Sequence, residues 1–237
     1  MKNTFKAIFL FSLLILSQPL SAQYQIGLVP RSSPDREIYQ KVGLTDIRIK
    51  YGSPSVKDRN IWGGLVPYNK VWRAGANHAT TVEFSTDVEM EGQMLPKGIY
   101  SFFLIPQKEQ KWIAIFNKIP KQWGAFSYKE EEDALRLEID AGIKDDFQER
   151  LIYEIVAVNF NTAYLELSWE NIKIRLKINT QYIKQFVTAV EERADQAAEN
   201  IKWVVYLQGA EHLWEMKDSL ALADTWIQKS KKLSQQL

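Results

Sequence analysis

The run Tyr164-Leu165-Glu166-Leu167-Ser168-Trp169-Glu170-Asn171-Ile172-Lys173-Ile174-Arg175-Leu176-Lys177-Ile178 decides the fold class. Leu165, Leu167 and Trp169 alternate with Glu166 and Ser168, and Ile172, Ile174, Leu176 and Ile178 alternate with Lys173, Arg175 and Lys177. A period of two sends successive side chains to opposite faces, so each run reads as a strand with one wet face. The pattern recurs upstream at Ile47, Ile49 and Tyr51, at Val82 and Phe84, and at Leu135, Leu137 and Ile139. Ile99–Ile105 and Trp112–Phe116 are apolar on both faces and Leu151–Phe160 nearly so, which marks them as central strands covered on both sides. Turn signals at Tyr51-Gly52-Ser53-Pro54, Leu95-Pro96-Lys97-Gly98, Pro106–Lys111 and Asn159–Thr162 separate the runs. Many short strands with no long helical pattern between them predict a mainly β fold, an antiparallel β-sandwich. No blade-length repeat supports a propeller.

The period changes after Thr180. Ile183, Phe186, Val187 and Val190 share a helical face, as do Trp203, Tyr206, Leu207, Ala210 and Trp214, then Leu222, Ala223, Trp226 and Ile227. Residues 181–237 therefore read as a C-terminal α-helical appendage of two or three helices on a β-sandwich domain spanning 23–180. The appendage is expected to be too small for a core of its own. Its bulky residues should pack on the sandwich, on each other or on a partner, covering apolar surface rather than building the core, with Trp203 and Trp226 as its main contacts. Trp203 to Leu233 has the shape of a helical pair with its turn near Lys217-Asp218, and it is similar to a single tetratricopeptide-type repeat.

The chain has 237 residues, 30 Lys+Arg against 29 Asp+Glu, two His and no Cys. That balance carries no electrostatic footprint for nucleic acid. The missing cysteines exclude disulfides, thiolate nucleophiles and Cys-type metal sites. No stretch matches a dinucleotide fingerprint, a phosphate loop, an EF-hand loop or a Gly-x-Ser-x-Gly elbow, so neither a cofactor nor a metal is expected. Glu130-Glu131-Glu132-Asp133 and Asp145-Asp146 read as solvated acidic turns. Lys2 and Lys6, the apolar stretch Ala7–Leu16 and the exit Pro19-Leu20-Ser21-Ala22 predict a signal peptide over 1–22, hence an exported chain, periplasmic or secreted. The apolar stretch is short for a membrane span, and none is expected in the mature chain.

One segment breaks the strand pattern. Residues 57–81 have no clean period and mix Arg59, Trp62, Tyr68, Trp72, Arg73, Asn77 and His78 with Gly63, Gly64, Gly75 and Pro67. Indole and phenol faces, directed Arg and Asn donors and glycines for close approach suit the lining of a binding cleft. The same composition also suits a loop that covers a sheet edge. His78 is open to two roles, a general base or a hydrogen-bonded loop residue.

Val66-Pro67-Tyr68, then Val71-Trp72-Arg73-Ala74-Gly75-Ala76-Asn77 and Ala79-Thr80-Thr81, resemble an exported bacterial family without assigned activity, domain of unknown function 2911. Leu95–Phe102, Trp112–Lys118 with Asn117 and Lys118 at its end, and Gln122-Trp123-Gly124 resemble the same family, over most of Pro30 to Ile178. The resemblance adds Asn117, Lys118 and Trp123 to the candidate ligand-binding residues and implies no known chemistry.

Three functions are compatible with these residues. The first is a non-enzymatic envelope module that binds a small polar ligand or glycan. The second is an interaction protein that docks a partner through Trp203, Trp214 and Trp226. The third is a hydrolase with His78 or a carboxylate as base and Arg73 as the electrophilic group.

Overall fold

The computed structural model describes residues 30–109 and 111–236, apart from the side chains of residues 144 and 145. The predicted leader, 1–22, lies outside the described residues. Among the described residues ten strands run in chain order: β1 (Asp35–Val42), β2 (Thr45–Gly52), β3 (Ala76–Phe84), β4 (Val88–Met90), β5 (Gln93–Leu95), β6 (Gly98–Ile105), β7 (Trp112–Asn117), β8 (Asp133–Ile139), β9 (Ala141–Ala157) and β10 (Thr162–Asn179). They form a six-stranded sheet, β1-β2-β3-β6-β7-β8, and a four-stranded sheet, β5-β4-β10-β9. Every pairing is antiparallel. The predicted mainly β sandwich is the observed architecture.

The segment after β2 stitches the two sheets together. Leu151 N–H donates to the Pro54 carbonyl at 2.9 Å and Val56 N–H to the Glu149 carbonyl at 2.8 Å. The core lies between the sheets, from Ile47, Ile49, Val82, Phe84, Phe102 and Phe116 on one side to Leu151, Leu165, Leu167, Trp169, Ile174 and Leu176 on the other.

The run that decided the fold class is one strand, not two. β10 continues through residues 169–172, with register shifts between Ser168 and Glu170 and between Glu170 and Ile172. Glu170 has a left-handed φ of 54°. Such a bulge inserts a residue and reverses which parity faces inward. Odd-numbered Leu165, Leu167 and Trp169 before it, and even-numbered Ile174, Leu176 and Ile178 after it, all reach the same core. The phase change in the sequence marks a bent strand rather than a turn.

The doubly apolar strands divide. Phe103 of β6 and Ile115 of β7 face away from the main core and are buried with Ala79 in a separate outer cluster, packed by Val71, Ala125 and Tyr128. β6 and β7 are central and covered on both faces, as their sequence predicts. Leu151–Phe160 departs from the expectation. It ends β9, which is a sheet edge, and leaves Val156, Val158 and Phe160 exposed.

Strands give way, among the described residues, to three α-helices: α1 (Tyr182–Gln196), α2 (Lys202–Met216) and α3 (Leu220–Ser234). They bury a core of their own, which corrects the expectation from size. Val190, Ala194, Tyr206, Ala210, Leu213, Ala223 and Trp226 close on one another. A Cβ on Gly209 would meet the Trp226 ring at 2.9 Å and Val190 at 3.0 Å, so glycine sets the close approach. Trp226 Nε1 and Tyr206 Oη both donate to the Glu191 carboxylate, at 2.9 Å each. Trp226 is thus committed to the bundle and Trp203 is half-buried, whereas Trp214 stays 49% exposed. The bundle meets the sandwich through Tyr182, which stacks on Phe160 at 5.4 Å, and through Gln185, which donates to Thr86 Oγ1 at 3.0 Å. Among the described residues no helix is long and apolar enough to cross a membrane.

Candidate functional site

Segment 57–81 separates into four environments. Its start is a turn: Arg59 donates from Nε to the Val56 carbonyl at 2.9 Å and from Nη2 to the Ser55 carbonyl. Its middle enters the core. Trp72 N–H donates to the Leu104 carbonyl at 2.7 Å and Leu104 N–H returns the bond at 2.8 Å, so Trp72 sits beside β6 as a one-residue strand. Its ring stacks on Trp169 at 5.8 Å, while Trp62 packs edge-on against Trp72, Trp112 and Trp169. Trp72 is therefore a core residue and offers no face to a ligand.

The Arg73–Asn77 stretch is a backbone corner. Ala74 and Asn77 hold left-handed φ values of 49° and 64°. The Ala74 carbonyl accepts from Tyr153 Oη at 2.7 Å and from Thr80 Oγ1 at 3.0 Å. Burial pushes the Tyr153 phenol well above its ordinary pKa, so it stays a proton donor to that carbonyl. A Cβ on Gly75 would lie 2.7 Å from Thr80 Oγ1. Asn77 Nδ2 donates to the Ser33 carbonyl at 2.9 Å, bracing the chain that enters β1. Asn77 is a brace here rather than a reader of a ligand.

His78 and Trp123 do come together. The Ala79 N–H donates to the Gln122 carbonyl at 3.0 Å and the Gly124 N–H to the Asn77 carbonyl at 3.1 Å. This two-sided ladder seats Trp123 beside His78, ring to ring edge-on at 4.7 Å. Both line a groove of about 700 Å³ with Lys50, Tyr51, Thr81 and Gln122. Trp123 remains 54% exposed. The groove is of mixed charge: Arg36, Lys50 and Lys121 lie along it with Asp35 and Glu37. Lys50 Nζ is 3.8 Å from Glu37 Oε2.

The loop that carries Trp123 is pinned from below. Asn117 is fully buried, donating from Nδ2 to the Lys129 carbonyl at 3.0 Å and to Asp133 Oδ1 at 2.8 Å. Its Oδ1 accepts from Ile119 N–H and Gln122 Nε2, each at 3.1 Å. Tyr128 Oη donates to Asp133 Oδ2 at 2.7 Å, and Arg136 Nη1 donates to the same oxygen at 2.8 Å. Burial and the Asp133 carboxylate hold the Tyr128 phenol far above its usual pKa. Asn117 is thus a structural hub, and Lys118 is exposed, its N–H bonded to the Glu132 carbonyl at 2.9 Å.

Trp62 and Tyr68 fall in a different depression, of about 590 Å³, with Trp112, Gln107, Lys111 and Asp140. Arg73 lines neither depression. The ten candidates are not one site. The sequence missed Lys50, Tyr51, Thr81 and Gln122, because on strands and a short loop they carry only an ordinary alternating or polar pattern.

These features define a class: a mainly β sandwich with a helical bundle and an open groove beside one exposed indole. The chain belongs to the family described as "Protein of unknown function (DUF2911)", whose model matches residues 33–178. That span holds both sheets and the groove and stops before α1. No curated protein and no solved structure matches the chain.

Proposed function

We propose that this is an exported, non-catalytic binding module whose ligand is a small polar molecule, a glycan being the best chemical fit. The observation that carries the reading is the half-exposed Trp123 indole, held by backbone bonds rather than by its own side chain at the rim of a groove. An indole face suits the apolar face of a sugar ring, and Lys50, Thr81 and His78 supply donors and acceptors around it. The leader-like residues 1–22 support export. Intact-mass analysis of exported protein is expected to place the mature start at Gln23.

The test is a glycan array of neutral and acidic oligosaccharides, followed by titration of any hit. Trp123→Ala is expected to weaken binding about five- to tenfold, the worth of one stacking contact. An array with no hit for the wild-type protein, or a hit that Trp123→Ala leaves intact, overturns the reading.

A second reading, a partner docked through the helices, draws on Trp214 and Leu220, both exposed near the α2–α3 turn. The hydrolase reading has less support, because Arg73 does not share the groove with His78.

A further inference from the structure

Arg73 is a candidate residue that the fold holds with its guanidinium Nε buried and unpaired. Trp72 points inward to the tryptophan cluster, so alternation turns Val71 and Arg73 to the opposite face. Val71 there packs on the outer cluster of Ala79, Phe103 and Ile115. Arg73 reaches toward Gly124, with Nη1 3.9 Å from the point a Gly124 Cβ would occupy. The Phe126 ring lies 2.9 Å from that same point, so guanidinium and ring are within reach of one small molecule. Gly124 holds a φ of +66°, which turns the loop there without a side chain between the two groups.

Three observations converge on this spot. Arg73 Nε is buried with no acceptor, and no side chain or carbonyl among the described residues pairs with the guanidinium. Phe126 is 87% exposed. The loop from Lys118 to Lys129 carries Lys118, Lys121 and Lys129 and no acid; acids begin at Glu130, whose carboxylate is 3.5 Å from Arg136. Partial burial lowers the Arg73 pKa, but a guanidinium stays charged at any physiological pH. A half-buried cation with no counter-charge, beside a bare aromatic ring in a basic loop, is costly unless something anionic completes it.

We infer that Arg73, with Phe126 beside it, is an anion-binding site for a small oxyanion carried on a flat apolar body, such as an aromatic carboxylate. The terminal nitrogens form the fork that takes two oxygens, and the Phe126 ring covers the apolar body. A phosphate group offers the fork the same chemistry. The inference does not depend on the glycan reading, since the groove contains neither Arg73 nor Phe126.

The experiment titrates ¹⁵N-labelled protein with benzoate, with inorganic phosphate and with neutral benzamide, following the Arg73 Nε resonance. Benzoate is expected to shift it saturably and benzamide to leave it unmoved. Arg73→Lys, which keeps the charge but loses the fork, is expected to weaken benzoate about tenfold, read on neighbouring backbone amides. Phe126→Ala, at an exposed position that folding does not need, should lower benzoate affinity about fivefold and leave phosphate unchanged. Saturation by phosphate alone keeps the site and makes phosphate its ligand group. No saturable shift with either anion by about 10 mM, where even a millimolar contact is mostly filled, overturns it. Equal shifts with benzamide and benzoate, or full benzoate affinity in both variants, also overturn it.

Discussion

Trp72 and Trp123 sit in regions of similar composition and end in opposite states. Both are followed by a residue that turns the chain, Arg73-Ala74 in one case and Gly124 in the other, and both are placed by backbone hydrogen bonds to a neighbouring strand. Trp72 is paired with β6, and its ring is sealed among Trp62, Trp112 and Trp169. Trp123 is paired with the start of β3 outside the sheet, and among the described residues its one ring-to-ring contact is the T-shaped one with His78. The difference is the face to which each backbone position points. Residue type alone does not tell a core indole from a ligand platform; the parity of the strand does.

The comparison breaks most sharply if stability fails to separate the two indoles. Trp72→Ala removes a buried ring from the main core and is expected to cost about 3–5 kcal/mol in chemical denaturation. A loss under about 1 kcal/mol would mean the tryptophan cluster is not the packed centre described above.

Asn117→Ala tests whether the Trp123 loop is pinned. It strands Ile119 N–H and takes the donor from Asp133 Oδ1, while Gln122 Nε2 keeps the Ile119 carbonyl and the Lys129 carbonyl keeps the Glu132 N–H, so about 1–3 kcal/mol should be lost. The Trp123 emission should also move toward that of a mobile indole. Unchanged stability would leave the loop held by its backbone ladder alone.

The Arg73–Asn77 corner offers a finer contrast. Asn77→Ala gives up the bond to Ser33 and places a Cβ residue less tolerant of φ 64° there, for about 1–2 kcal/mol. Asn77→Gly should recover part of that through the backbone. Arg73→Ala removes a half-buried cation that no acid among the described residues compensates, so the variant should keep or slightly gain stability, with no loss beyond about 0.5 kcal/mol in thermal melts. A large loss at Arg73 would make it a brace like Asn77.

Trp123→Ala is the smallest expected effect on folding, within about 0.5 kcal/mol, because its bonds to Asn77 and Ala79 come from neighbouring backbone groups. Its phenotype should be confined to binding. If Trp123→Ala melted the protein as Trp72→Ala does, the groove indole would be structural and the contrast between the two regions would vanish.

Much of the fold was legible in the strand periods. Leu135, Leu137 and Ile139, or Ile47, Ile49 and Tyr51, face the core as their alternation requires. The candidate site was legible only in part. His78 and Trp123 were both singled out, but nothing local joins residues 45 positions apart; that took the ladder between Asn77–Ala79 and Gln122–Gly124. Leu151–Phe160 misled because apolar content on both faces describes an edge strand with exposed side chains as well as a central one.

What the sequence determined by itself was local and periodic: strand faces, turn positions and the switch to helices after Thr180. Local sterics and solvent set these, and each can be satisfied within about ten residues. What only the tertiary structure decided was non-local: that the phase change is a bulge in one bent strand, that the helices bury their own core around Trp226, and that Trp72 is sealed while Trp123 stays open. Those outcomes depend on which distant surface arrives to cover each side chain, and burial is a property of that arrival rather than of the residue.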